Sequence, residues 1–385
     1  MVRFFLQSVR RWWNSAYNRQ ALITIEISET ALLSNFRALQ LLVPEWRIAP
    51  VLKSNAYGHG LVPVARVLAR QKGVAFFCVD SHFEANILTS TGVTTPLLVM
   101  GYTPTEIVRK NKHPNLSFMV GSLEQLGQLI ASGSCQSVHL KFDTGMHRQG
   151  VQYERLNEVV HILEERNYLR IDGIMSHFAD AENPNREQTE KQIARWNELT
   201  AVLRKKFPHI RYYHLANSAG YAHAQKIFAN VGRPGIALYG INPGNLRVAL
   251  KPILRMTSRV SDIRIIPTGE RLGYNGTFAS RRDTKVATIP AGYFEGIDLR
   301  LSNLGVFLIK NKEVPICGRV SMNISSCNVT DIEGVSPDTS VTLISNRETD
   351  KNSIQNIAGI CGTISYEILT HLPSHLRRNV VASFE

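Results

Sequence analysis

Pro50-Val51-Leu52-Lys53-Ser54-Asn55-Ala56-Tyr57-Gly58-His59-Gly60 joins a short apolar run to a lysine and then to a turn rich in Asn, Gly and His. The run has the length of a buried strand, and the lysine falls at its end. A lysine pushed from a strand end into a pocket loses hydration. Desolvation disfavours the ammonium form, so its pKa falls and it becomes an amine nucleophile or base. The blander reading is a strand-terminal lysine that reaches water. What else the chain brings to the same end of its sheet separates the two.

Working outward, Leu22 to Ile27 reads as a strand, and Ser28 can N-cap a helix with Leu32, Phe36 and Leu39 on one face. A rhythm follows. Apolar runs stand at 48–52, 75–79, 97–100, 116–120, 137–142, 171–175, 211–215 and 236–239. Helical patterns lie between them, marked by Val64, Val67 and Leu68, by Leu123, Leu126, Leu129 and Ile130, by Leu156, Val159, Val160 and Leu163, and by Ile193, Trp196, Leu199 and Leu203. Strand–helix alternation with this strand count predicts an α/β fold, an N-terminal (β/α)8 TIM-like barrel, with a doubly wound open sheet as the competitor.

After about residue 245 the helical patterns thin out. Short strands are expected at Val260–Ile266, Lys285–Ile289, Val306–Ile309, Val314–Cys317, Ser326–Val329 and Val341–Ile344, which make a mostly β C-terminal domain. The division expected is a basic extension at 1–20, a strand region at 21–30 that pairs with the C-terminal domain, a barrel over 31–244 and a β domain over 245–385.

The 385 residues suffice for two domains, and no apolar run approaches the ~20 residues of a membrane span. Five scattered cysteines without a C-x-x-C pair argue against disulfides and zinc and fit a reducing cytoplasm. The net charge of +13 is spread thinly, with no basic stripe interleaved with aromatics, so nucleic acid is not an expected partner. A phosphate or carboxylate of a small ligand explains a basic site. Residues 1–20 carry Arg3, Arg10, Arg11 and Arg19 among Phe5, Val9, Trp12, Trp13 and Tyr17. They read first as an added helix or arm on the body, and second as an amphipathic helix at a membrane surface.

Barrel sites lie at the C-terminal ends of the strands. Lys53, then Lys141 and Asp143 with Arg148 after them, then His177, then Asn217 and Ser218 all fall at such ends, and Arg233-Pro234-Gly235-Ile236 precedes the expected eighth strand. Each has an ordinary reading alone: a core histidine, a helix N-cap at Ser218, an exposed ion pair at Arg148. Their shared rim changes that. The region around Ser218 and Gly235 is where barrels cradle phosphate on backbone N–H groups. A phosphate on one side and a nucleophilic lysine on the other point to a phosphorylated aldehyde, pyridoxal phosphate.

These motifs resemble those of the alanine racemases. The resemblance runs from Val51-Leu-Lys53-Ser-Asn-Ala-Tyr57-Gly-His-Gly60 through Lys141-Phe-Asp-Thr-Gly-Met-His-Arg148, Ser176-His177-Phe-Ala, Ala216-Asn-Ser218, Val231-Gly-Arg233-Pro-Gly-Ile-Ala-Leu-Tyr-Gly240, Leu272-Gly-Tyr274-Asn-Gly-Thr277, Pro290-Ala-Gly-Tyr293, Gly318-Arg-Val-Ser-Met322 and Thr363-Ile-Ser-Tyr366. It implies a barrel followed by a β domain, a homodimer, pyridoxal phosphate, and interconversion of L- and D-alanine for peptidoglycan. By the same resemblance Lys53 holds the cofactor as a Schiff base and is one catalytic base. Tyr274 is the other, reaching in from the partner subunit. Tyr57, Ser218, Gly235, Ile236 and Tyr366 line the phosphate. His177 packs against the pyridine ring and Arg233 faces its nitrogen. Arg148 and the Met322 backbone hold the substrate carboxylate, and Lys141 matches a lysine that is carbamylated in many members.

The chemistry agrees with that assignment. Racemisation removes a proton from one face of a carbon and returns it to the other, so it calls for one base on each face. Lysine and tyrosine both ionise near ~10, and each must be lowered to work near neutrality. Cationic neighbours favour a tyrosinate and disfavour an ammonium. Departures from the family pattern are His147 where glycine is usual, Asn323 where aspartate is frequent, and Phe294-Glu295 in place of Ala-Asp. The alternatives are a serine or broad-specificity racemase of the same fold, a related decarboxylase, and a cofactor-binding protein without turnover. The β domain, Tyr274 and the Met322 segment argue against the last two.

Overall fold

The computed structural model describes residues 21–165, 169–183, 187–244 and 246–384, so the expectation for 1–20 lies outside the described residues. The chain divides into two compact units. One comprises the described residues up to Ser28 together with Leu254–Val381; the other comprises Glu29–Ile253 with the final residues from Ala382.

Strand β1 (Thr24–Ser28) belongs to the first unit. The second unit carries β2 (Arg47–Ile48), β3 (Phe77–Val79), β4 (Leu97–Val99), β5 (Leu116–Val120), β6 (Ser137–Asp143), β7 (Val151–Gln152), β8 (Arg170–Met175), β9 (Tyr212–His214) and β10 (Val231–Gly232). The ladder β3-β4-β5-β6-β8-β9 is parallel throughout, and β10 pairs in parallel with β2. Parallel bridges Ile48↔Val74 and Val51↔Cys78 join β2 to β3. Asn230 N–H donates to Tyr213 O at 3.1 Å and Arg233 N–H to Ala216 O at 3.0 Å, joining β9 to β10. The eight strands therefore close into a ring with no free edge. Ala49, Val51, Cys78, Leu98, Met119 and Met175 are buried together in its core.

Helices separate the strands because apolar residues recur at helical spacing. Glu29–Leu42 buries Leu32, Phe36 and Leu39; Leu123–Ala131 buries Leu126, Leu129 and Ile130; Glu187–Lys206 buries Ile193, Trp196, Leu199 and Leu203. Ser81 and Ser122 cap their helices by accepting from the N–H three residues on.

One strand expectation fails. The run 236–239 is not the eighth strand; β10 lies earlier, at Val231–Gly232, so the Arg233-Pro-Gly-Ile segment follows the strand instead of preceding it. Pro234 has no N–H to continue the ladder. The chain after it turns tightly, with Leu238 N–H to Gly235 O and Tyr239 N–H to Ile236 O. Ile236 to Tyr239 are apolar because they are buried on all sides, not because they alternate.

The first unit adds β11 (Leu254–Arg259), β12 (Asp262–Ile266), β13 (Arg271–Leu272), β14 (Phe278–Ala279), β15 (Thr284–Ile289), β16 (Val306–Ile309), β17 (Lys312–Pro315), β18 (Ser325–Asn328), β19 (Ser340–Ile344) and β20 (Arg378–Val381). Its main sheet has the order β17-β16-β19-β11-β1-β20, with β1 antiparallel to β11 and parallel to β20. A second sheet has the order β12-β15-β18. Among the described residues no helix is long and apolar enough to cross a membrane.

Candidate active site

The opening stretch forms a rare backbone. After the bridge at Val51, residues Ser54, Asn55, Ala56 and Tyr57 all take positive φ, from 52° to 56°, in a left-handed turn. Each such residue costs roughly 1–2 kcal/mol for an L-amino acid, so the surroundings must impose it. They do so with hydrogen bonds. Asn55 N–H donates to Glu84 Oε1 at 3.1 Å, while Glu84 Oε2 takes the Asp80 N–H at 2.9 Å. Asn55 Oδ1 accepts from Leu61 N–H at 2.8 Å, and Ala56 N–H donates to Leu52 O at 2.7 Å. His59 stacks on Tyr239 with ring centroids 4.4 Å apart, and the Tyr239 hydroxyl donates to Val51 O at 2.7 Å. The turn aims Lys53 and Tyr57 from a rigid base.

Lys53 is not buried by its own chain, against the expectation of a desolvated strand-end lysine. Its side chain is 40% exposed, and Nζ lies 4.0 Å from Asp80 Oδ1. The strand ends before it, so the side chain leaves the barrel core and stands at the rim.

Tyr57 reaches the β10 corner. A Cβ on Gly235 would lie 2.4 Å from the Tyr57 hydroxyl oxygen, so only glycine permits this approach. Ser218 does not cap a helix. Its Oγ accepts from Gly235 N–H at 3.0 Å and Ala237 N–H at 3.2 Å, while Asn217 Oδ1 takes the Gly220 N–H. The intervening Ile236 is 1% exposed, and its N–H finds no partner among the described residues. A hydroxyl with an unpaired N–H beside it is the chemistry of an anion cradle.

Arg233 is buried, with no carboxylate partner among the described residues. Its Nη2 donates to Ser176 O at 2.7 Å and to His177 Nδ1 at 3.2 Å, and its Nη1 to His214 Nδ1 at 2.7 Å. Its Nε–H has no partner among those residues. Burial lowers its pKa to about 10. Burial also holds the His177 imidazole well below its ordinary value, with Arg233, Lys141, Arg148 and Lys53 adding to the effect, so the ring is neutral. Those four cations share one rim.

Lys141 is buried on β6, and its Nζ donates to Gln149 Oε1 at 3.2 Å. Burial first, then Arg233 and Arg148, lowers its pKa to about 8. The loop to Arg148 hangs from Asp143, whose Oδ1 accepts N–H bonds from Gly145, Met146 and His147 at 2.9, 2.9 and 3.1 Å. His147 takes φ 55°, a left-handed position that costs a residue with a Cβ and suits glycine. Its imidazole is 79% exposed, with Nδ1 3.7 Å from Asp143 Oδ2.

Tyr274, Met322 and Tyr366 lie in the other unit, 68%, 56% and 39% exposed. There Phe294 N–H donates to Met322 O at 2.9 Å. The two unusual residues nearby answer each other: Asn323 Nδ2 donates to Glu295 Oε1 at 2.7 Å, and Glu295 Oε2 accepts from Gly292 N–H at 2.8 Å.

His214, His139 and Glu84 carry no motif and escaped the sequence reading. Alternation along β6 places His139 on the face of Lys141 and Asp143, which was the signal available. No cluster of three or more metal-ligating side chains occurs among the described residues.

Family models for the alanine racemase N-terminal domain and C-terminal domain match residues 27–243 and 253–380. The chain is 35% identical over 352 residues to an alanine racemase of Syntrophobacter fumaroxidans, covering 89% of this chain and 93% of that one. It superposes on the alanine racemase of Clostridium difficile 630 with a TM-score of 0.87 at 27% identity, over 94% of this chain and 96% of that one. The Bartonella henselae alanine racemase, solved with covalently bound pyridoxal phosphate, gives a TM-score of 0.83 at 26% identity, over 94% of this chain and all (100%) of that one. With both domain models matched in order over most of its length, the chain belongs to the alanine racemase family.

Proposed function

We propose that this chain is a pyridoxal-phosphate-dependent alanine racemase, converting L-alanine to D-alanine and back and supplying D-alanine for peptidoglycan. The observation that carries the reading is the meeting at one rim of the Lys53 amine and the Ser218–Ile236 anion cradle. The residues fit the cofactor. The unpaired Ile236 N–H and the Ser218 hydroxyl suit its phosphate, with Tyr57 against Gly235 at the same corner. The unpaired Nε–H of Arg233 suits a ring nitrogen, since guanidinium only donates. His177, held neutral chiefly by its burial and hydrogen-bonded to Arg233, packs against the ring. When bound, the cofactor supplies the electron sink that makes the substrate's α-hydrogen acidic.

The chain's own groups do the rest. Arg148 binds the substrate carboxylate, a role the family resemblance shares with the Met322 backbone, and so fixes which bond faces which base. Lys53 holds the cofactor and moves a proton at Nζ on one face. Tyr274, contributed by the partner subunit of a homodimer, moves a proton at its hydroxyl on the other. Lys141 carries a carbamate: a pKa of about 8 leaves an appreciable neutral amine near pH 7, and Arg148 and Arg233 stabilise the resulting anion.

A racemase with broader substrate range is the second reading, favoured by His147 beside Arg148. Chiral analysis of product from L-alanine tests the first. D-Alanine must form, and Lys53→Ala must abolish it; normal turnover by that variant sinks the assignment. Side-by-side kcat/KM for alanine, serine and lysine separates the two readings.

A further inference from the structure

The contacts of Arg233 do not stop at His214. They continue through the barrel interior to a cavity at the opposite end of the strands. His214 Nε2 lies 2.7 Å from His139 Nδ1. Both rings are fully enclosed, 0% and 1% exposed. The His139 ring lines a cavity of about 220 Å3 together with Phe76, Ser137, Asp172 and Tyr212. Ser137, Asp172 and Tyr212 stand at or near the first residues of β6, β8 and β9, away from the rim. Space for the ring is made at Gly173, where a Cβ would lie 2.5 Å from His139 Nδ1.

The chain has one direction. Guanidinium offers donors alone, so His214 Nδ1 accepts from Arg233. A neutral imidazole that accepts at Nδ1 carries its proton on Nε2. That N–H donates to His139 Nδ1, which in turn places the His139 proton on its own Nε2. This last N–H has no protein partner among the described residues, and the ring that bears it borders the cavity. Neither ring is charged. Burial lowers the His139 pKa to about 3, with Asp172 opposing and Arg233 and Arg211 assisting. Burial, Arg233 and His139 likewise hold His214 well below its ordinary value.

We propose that His139 is a positioning residue. By accepting from His214 it locks that ring in the tautomer that anchors Arg233, and the cavity beneath holds the water that accepts from His139 Nε2–H. Remove the acceptor, and His214 can protonate at Nδ1, donor against donor with Arg233. Arg233 then loses an anchor and shifts at the rim. The proposal rests on the reading of Arg233 as the partner of the cofactor ring.

The test compares His139→Leu, which removes the acceptor, with His139→Asn, whose side-chain oxygen replaces it. Imidazole 15N resonances of the full-length protein report the tautomers directly. In the unsubstituted protein both histidines must be protonated at Nε2; protonation of His139 at Nδ1 overturns the proposal whatever the variants do. His139→Leu is expected to change the His214 tautomer, shift the visible absorbance of the bound cofactor and lower kcat/KM about tenfold, as loss of one buried hydrogen bond implies. His139→Asn retains the spectrum. A folded Leu variant with unchanged tautomer and spectrum refutes the lock. If the unsubstituted protein takes up no pyridoxal phosphate, the functional reading fails instead, and the tautomers still decide the lock.

Discussion

At Asp143 a single carboxylate folds the loop that presents Arg148. Burial alone pushes its carboxyl up, but the N–H groups of Gly145, His147 and Met146 outweigh it, and the net shift is downward. A folded pKa below the unfolded value makes its contribution complete above the unfolded pKa, near ~4. That contribution is lost as pH falls through the lower folded value. Asp143→Asn should therefore cost about 1–2 kcal/mol in urea unfolding at pH 7, with the difference vanishing in strong acid. A pH-independent difference contradicts this account. Lys141, two residues earlier, should give a carbamate signal in 13C-bicarbonate spectra that is absent from Lys141→Met. Identical spectra would leave Lys141 a free amine. Both residues belong to a motif legible in the sequence. The Asp143 hydrogen bonds were not legible, because they depend on a loop turning back on a strand end.

The left-handed turn at 54–57 is where the element scale matters most. Local propensity opposes it, since four successive residues with a Cβ adopt positive φ. Glu84 lies on a later helix, His82–Ser90, and its two carboxylate oxygens hold the Asn55 and Asp80 N–H groups at once. Glu84→Ala should lower stability by about 1–2 kcal/mol and abolish slow amide exchange at Asn55 and Asp80. If those amides stay protected, the strain is held elsewhere. The same competition explains the misplaced eighth strand. An apolar run alone does not distinguish a strand from a buried turn, and Pro234 with Gly235 decided in favour of the turn.

For the whole molecule, the central question is how many chains make one site. Tyr274 is 68% exposed in the single chain, far above what a base shielded from water requires. In the proposed homodimer it serves the partner's Lys53. Lys53→Ala and Tyr274→Phe should each be inactive alone. Mixed dimers of the two should regain about a quarter of full activity, because half the dimers are hybrids and each has one intact site. No recovery on co-expression would place both bases on one chain.

The sequence by itself determined the strand–helix alternation, the β-rich second half and the motifs that gather at one rim. Those signals are local, written in period and in residue type. The tertiary structure decided what depends on distant parts meeting: the closure of β10 on β2, the orientation of a half-exposed Lys53, the pairing of Asn323 with Glu295, and the histidine chain behind Arg233. A buried guanidinium needs acceptors wherever the fold can provide them, and strands far apart in the chain supplied them.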